Sequence, residues 1–332
     1  MRMTDLATSP NVGRGPEEHL PRFDPGITEP IWKIRWKMNM RSLAQNWEIF
    51  KESRVGMSGL IIIIAFGIFG LLWPIMINFV WDPLIYHPVV GFDPMMMHPS
   101  PPMAGHLLGT DPIGRDILAQ LMFSTGREFL LGVLSAVISV VVGTFIGAMA
   151  AYYGGFTDTL FMRLADIVML FPFVPLLVVI GSMIRLGILP FAIILGFLEA
   201  FGGITVILKA QALQVKVRPY IDAARVAGGS DLHIIRAHII PNVLPLSFLY
   251  MMFNVTGAIV SEATLSFFGI LNIDMSWGMM IHTAETAGYL FDFGKFWWLW
   301  APSGFFITLF CAAFYMVGRG LDEVVNPRLR KR

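Results

Sequence analysis

Apolar residues run through this chain in long blocks, not in the short alternating runs of a soluble fold. Six blocks of 18 or more residues carry almost no charge: 55–81, 129–157, 167–184, 188–208, 243–270 and 296–318. A helix needs about 20 apolar residues to cross a hydrocarbon core about 30 Å thick. The pattern therefore predicts an all-α integral membrane protein with six transmembrane helices. Only two acids fall inside the blocks, Glu199 in the fourth and Glu262 in the fifth.

One polar island stands out. Residues 220–242 read YIDAARVAGGSDLHIIRAHIIPN. A short helix carrying Ala223 and Ala224 is ended by Gly228 and Gly229, which tolerate positive φ. Ser230 is a good N-cap, and Asp231 sits in the first turn of a second helix, where the helix dipole favours an anion. In that second helix Leu232, Ile235 and Ile239 fall at helical spacing, opposite His233 and Arg236, and Pro241 marks the return to the membrane. A solvated connector needs neither a cap nor an apolar stripe. The pattern instead predicts a helical hairpin that docks a partner by helix-in-groove packing.

Composition agrees with the membrane reading. Hydrophobic residues make up 55% of the 332, charged residues 14%, and mean hydropathy is +0.66; soluble domains are about 25% charged. The single cysteine, Cys311, excludes an intrachain disulfide. The net charge of +1 says little, but its distribution orients the chain. With the N-terminus inside, 20 of the 24 Lys and Arg residues fall in inner segments, as the positive-inside rule requires. Both termini and the island are thus expected in the cytoplasm, with 82–127 as an extracytoplasmic loop and 209–242 as the inner loop that contains the hairpin. Residues 1–30, with Glu17, Glu18 and Asp24, lack the basic start and apolar run of a cleavable signal. The 1–54 segment interleaves Trp32, Trp36, Trp47 and Phe50 with Lys33, Arg35, Lys37 and Arg41. That mixture suits either an amphipathic helix at the lipid headgroups or a plain orientation signal.

Other residues carry candidate chemistry. Asp111 can cap a helix begun by Pro112 and pair with Arg115; the two are either structural or part of an outer gate. A charge at the depth of Glu199 costs about 2.5–3.5 kcal/mol even on the insertion scale. It must line a water-filled path or anchor neighbouring helices. Glu262 reads as an interhelical hydrogen-bond anchor or a path residue, and Arg163 with Asp166 as a structural i,i+3 pair. The loop with Met95, Met96, Met97, Met103, His98 and His106 has ligands that suit Cu(I). It shows no regular ligand spacing, so an extended cover over the outer mouth is expected and no metal site. HExxH, GxSxG and GxxxxGK[ST] motifs are absent from the sequence, which places any catalysis on another polypeptide. A secondary transporter would predict inverted repeats and several paired intramembrane charges, and neither is evident.

The island also carries a family resemblance. DAARVAG followed nine residues later by HIIP resembles the EAA motif of binding-protein-dependent ABC importer permeases, with Asp222 for the usual Glu. HLLGTDPIGRDILAQL, YYGGFTDTLFMRLADIVMLFP, SEATLSFFGI and GRGLDEVVNPRLR resemble further blocks of the C-type subunit of the oligopeptide and dipeptide branch, over about residues 55–330. The resemblance implies that 55–332 is a transmembrane domain forming half of a heterodimeric channel with a B-type permease. Two P-loop ATPase subunits, holding ATP and Mg, would lie below it and an extracytoplasmic binding protein above; no nucleic acid is implied. The coupling residues would be Tyr220, Asp222, Ala223, Ala224, Gly228, Ser230, Asp231, Arg236, His238 and Pro241. Asp222 would lock the hairpin to a basic partner group or to its own second helix, and Gly228 would form the corner. Peptides are the implied substrate, with an oligosaccharide or nickel as the alternative, since importers of the same branch resemble those for peptides, some oligosaccharides, nickel and glutathione.

Overall fold

A computed structural model describes residues 30–184 and 186–325, and the regular structure among them is helical. The start of the chain, Arg185 and the last part of the tail motif, 326–332, lie outside the described residues. The chain divides into two compact units, residues 1–46 and 47–332. The described part of the first belongs to helix α1 (Ile31–Glu52), on which Trp36, Met38 and Met40 are exposed.

The second unit contains α2 (Arg54–Phe79), α3 (Pro83–Tyr86), α4 (Ile117–Tyr153), α5 (Gly155–Leu170), α6 (Phe173–Met183) and α7 (Ile188–Glu199). These are followed by α8 (Thr205–Lys216), α9 (Pro219–Val226), α10 (Asp231–Ile234), α11 (Ile240–Phe267), α12 (Trp277–Thr286) and α13 (Ala301–Val325). π-helical turns, Ala200–Ile204 and Ile235–Ile239, join α7 to α8 and α10 to α11; each pair makes one membrane-length rod, the first of them kinked at Gly202. Five rods are long and apolar enough to cross a membrane: Arg54–Phe79, Ile117–Tyr153, Ile188–Lys216, Asp231–Phe267 and Ala301–Val325. The pair α5 and α6 would make a sixth crossing only with a bend of 87°.

Helix α4 is the central post, packed against α2, α7, α8 and α11. Its 37 residues reach about 55 Å at 1.5 Å per residue. At its N-terminal end Leu121 and Leu131 join a cluster with Phe191, Trp277 and Phe310; the rings of Trp277 and Phe310 meet edge to face, 5.3 Å apart. At its C-terminal end Ala148, Ala151 and Tyr152 join Leu208, Ala212, Ile221, Ile234, Ile235 and Ile239. Helices gain little from apolar burial inside lipid, so close backbone approach has to hold them together. Where α2 crosses α13, a Cβ on Gly56 would lie 2.9 Å from the Gly320 Cα.

The predicted elements need several boundary corrections. The third block is no straight span. Phe171, held extended by the proline that follows it (ψ 133°), ends α5, and α6 starts after Pro172. The second span begins at Ile117, not 129, so the expected 82–127 loop loses its last eleven residues to helix. Asp116 caps that helix by accepting the Ala119 amide at 2.7 Å. The sixth span begins at Ala301; residues Trp297–Leu299, within the predicted block, form a 3-10 turn. Pro241, expected to mark the return to the membrane, lies inside the continuous helix directly after the π turn Ile235–Ile239 and does not interrupt it.

Candidate functional site

The polar island folds as helix, corner, helix. Pro219 opens α9 and Ile221 buries its side chain completely. Gly228, at φ +84°, closes the helix in a Schellman motif: Gly229 N–H donates to Ala224 O at 3.0 Å and Gly228 N–H to Arg225 O at 3.1 Å. Ser230 then caps α10 by accepting the His233 amide at 3.4 Å. From Asp231 the helix runs without interruption to Phe267, 37 residues in all. The hairpin's second arm is therefore the end of a membrane-length rod.

Packing splits the hairpin into two faces. Ile221, Ile234, Ile235 and Ile239 lie against the C-terminal end of α4 and against α8. Tyr152 Oη donates to Asp231 Oδ1 at 2.6 Å, and the Arg225 guanidinium lies 5.6 Å from the Tyr152 ring centroid. Tyr220, Asp222, Ala223, Gly228, Ser230, Asp231 and Arg236 are exposed, Ala224 and His238 are half-buried, and Val226 at the tip is 90% exposed. Two expectations change here. Leu232 belongs to the exposed tip, and the buried stripe takes Ile234 instead. Of the two places expected for Asp222, its own second helix is not met: it pairs with Arg225 of its own helix at 3.2 Å, and the tie to the body of the protein is made by Asp231.

The second polar feature lies along the rods. Glu199 ends α7 where the helix loosens into the π turn, and Gly202 has a non-helical ψ of −149°. The carboxylate borders a cavity of about 730 Å³ lined by α5, α6, α7, α8, α11 and the π turn between α7 and α8, including Met169, Phe173, Ile207, Tyr250, Asn254 and Gly257. Its Oε2 atom is buried without a hydrogen-bond partner among the described residues. Glu262 is buried elsewhere: Ser266 Oγ donates to its Oε1 at 2.5 Å, and its carboxyl lies against that of Glu128 on α4. The sequence pattern missed Glu128, because the second block appeared to begin one residue after it. The signal for it would have been Asp116 as a cap, which moves the start of the helix upstream.

The segment before α4 is folded. Asp111 Oδ2 takes Arg115 Nε at 2.6 Å and Gln120 Nε2 at 2.9 Å, while its Oδ1 accepts the Ile113 and Arg115 amides. No helix starts at Pro112; the capping expected of Asp111 falls to Asp116. Arg115 also reaches Thr283 Oγ1 on α12 at 3.3 Å. Both side chains are buried within the chain. His106 and His98 make hydrogen bonds at both ring nitrogens, whereas Met95 and Met97 are about nine-tenths exposed. Among the described residues no group of three or more His, Cys, Asp or Glu side chains could hold a metal. Arg163 and Asp166 form the expected pair at 3.5 Å.

Long apolar rods, and a capped hairpin continuous with one of them, describe a membrane transport component. Residues 143–331 match the family of binding-protein-dependent transport system inner membrane components, and the chain belongs to that family. It is 38% identical over 234 residues to a putative peptide transport system permease protein of Brucella suis, covering 70% of this chain and 76% of the relative. It is 31% identical over 289 residues to the dipeptide transport system permease protein DppC of Bacillus subtilis, covering 86% and 85%. The oligopeptide transport system permease protein OppC of Haemophilus influenzae is 35% identical over 240 residues, covering 71% and 75%. The family is one of transport components, not of enzymes.

Proposed function

We propose that this chain is a permease subunit of an ATP-driven peptide importer and forms half of the translocation path beside a homologous B-type subunit. The hairpin of α9 and α10 faces the cytoplasm and sits in a groove on one of two P-loop ATPase subunits, which hold ATP and Mg. The 80–116 segment, at the other end of α4, faces the extracytoplasmic binding protein. Lysine and arginine distribution supports this orientation, and the names of the relatives support peptides as the substrate class. The aromatic and basic residues of α1 suit the lipid headgroup region.

The observation that carries the proposal is the unbroken rod Asp231–Phe267. A displacement of the hairpin by a closing ATPase cannot dissipate in a flexible loop, because the hairpin's second arm and span five are one helix. The exposed crest of Tyr220, Asp222, Ala223 and Val226 supplies the contact surface. The test is reconstitution with the neighbouring subunits in proteoliposomes. Peptide uptake that requires ATP and loaded binding protein is expected; uptake driven by an ion gradient without ATP would overturn the reading.

A further inference from the structure

The cavity beside Glu199 has one carboxylate and no cation. Its other lining residues are apolar or neutral, among them Phe171, Leu198, Tyr250 and Val260. Asn254 is tied through Nδ2 to Ser139 Oγ at 2.7 Å, which leaves its amide oxygen to accept. Thr256 and Ser261 direct their hydroxyl hydrogens to the Cys311 and Gly257 carbonyls. Apart from the Tyr250 hydroxyl, which can donate or accept, and the second Asn254 amide hydrogen, the side-chain polar atoms left to the cavity are acceptors. Glycine across the cavity leaves the carboxylate its room: a Cβ on Gly257 would lie 3.3 Å from Glu199 Oε1, a tight contact. The volume of about 730 Å³ falls in the range of small-ligand sites.

An orphaned carboxylate oxygen at this depth is costly unless a donor reaches it. Within the cavity walls none does. A primary ammonium supplies three donors and the opposite charge, and its bonds to a carboxylate are charge-assisted. We infer that Glu199, with Asn254 beside it, transiently binds a primary ammonium of the passing peptide while the apolar wall accommodates the rest of the molecule. This deepens the peptide reading above and rests on it. The site would favour cationic over N-blocked peptides inside the membrane, independently of selection by the binding protein.

The experiment is equilibrium binding to the permease and ATPase complex in nanodiscs, without binding protein. The probes are radiolabelled trialanine, N-acetyl-trialanine and N-acetyl-Ala-Lys-Ala. Wild type is expected to bind trialanine roughly tenfold or more tightly than N-acetyl-trialanine, the range of a hydrogen bond to a charged group. Glu199→Gln should erase that difference, and Glu199→Asp, which keeps the charge, should retain it. Tight binding of N-acetyl-Ala-Lys-Ala would assign the same role to a lysine side chain; weak binding would confine it to the free N-terminus. Equal binding of trialanine and N-acetyl-trialanine by wild type, discrimination that survives Glu199→Gln, or no binding at all would overturn the inference. ATP-driven uptake by the same wild-type complex is read separately, and only its loss would tell against the importer reading itself.

Discussion

Tyr152 Oη lies 2.6 Å from Asp231 Oδ1, joining the last turn of α4 to the first residue of α10. The bond holds the hairpin's second arm to the central post at the point where the helix leaves its cap. Tyr152→Phe keeps the ring that Arg225 lies over and removes only the hydroxyl. We expect a loss of about 1 kcal/mol of local stability, the usual net worth of one hydrogen bond. Hydrogen exchange over residues 219–239 should quicken, and binding-protein-stimulated ATP turnover should fall while the ATPases remain bound.

The corner is conformational. A Cβ on Gly228 would meet nothing within 4 Å, yet φ is +84°. Gly228→Val should abolish stimulated ATP turnover without impairing membrane insertion, because a β-branched residue is a true outlier at positive φ. Gly228→Asn should retain much of the turnover, since asparagine visits that region readily. Equal loss in both variants would point to crowding in the docked groove.

What could be read from the sequence divides along physical lines. Long charge-free blocks report burial in lipid, and five of the six predicted spans coincide with rods in the structure. The Gly228 corner and the Ser230 cap were visible because turn chemistry is local. The bend at Phe171 was marked only by Pro172, since an apolar run reads the same whether its helix is straight or folded by 87°. The partnership of Glu128 and Glu262 was hidden, because it depends on which faces of α4 and α11 meet.

Glu128 and Glu262 make a second mutational test. Both are buried, and three of their four carboxyl oxygens have no hydrogen-bond partner among the described residues. Glu128→Gln replaces one of two carboxyls in contact by a neutral amide that can donate to the other, and should leave thermal stability unchanged or raise it. Glu262→Ala strands the Ser266 hydroxyl and should cost about 2–4 kcal/mol, as for a buried polar group losing its partner together with a cavity. Thermal unfolding of the detergent-solubilised complex separates the two.

The segment before α4 should be sensitive to acid through Asp93. The Met95 amide, and then His106, hold its carboxyl below the usual 3.8, whereas burial pushes Asp116 up. A depressed carboxyl contributes stability that is complete above its unfolded value and lost as pH falls through its folded one. Asp116 has the opposite sign: its ionisation costs stability as pH rises through its raised folded value. In an Asp116→Asn background, protection of residues 83–116 should therefore decline below about pH 4. Adding Asp93→Asn should flatten that decline.

The central claim, that hairpin and span five move as one body, is tested most directly by electron spin resonance distances. With Cys311 replaced by Ala, spin labels at Val226 and Phe268, both exposed, bracket the lever from end to end. A rigid lever predicts one narrow distance that changes by less than about 2 Å between nucleotide-free and ATP-trapped complexes, while the distance from Val226 to a label on the partner permease shifts by more. A broad 226–268 distribution, or a shift beyond about 5 Å on trapping, would mean that the rod bends at its π turn and would contradict the account.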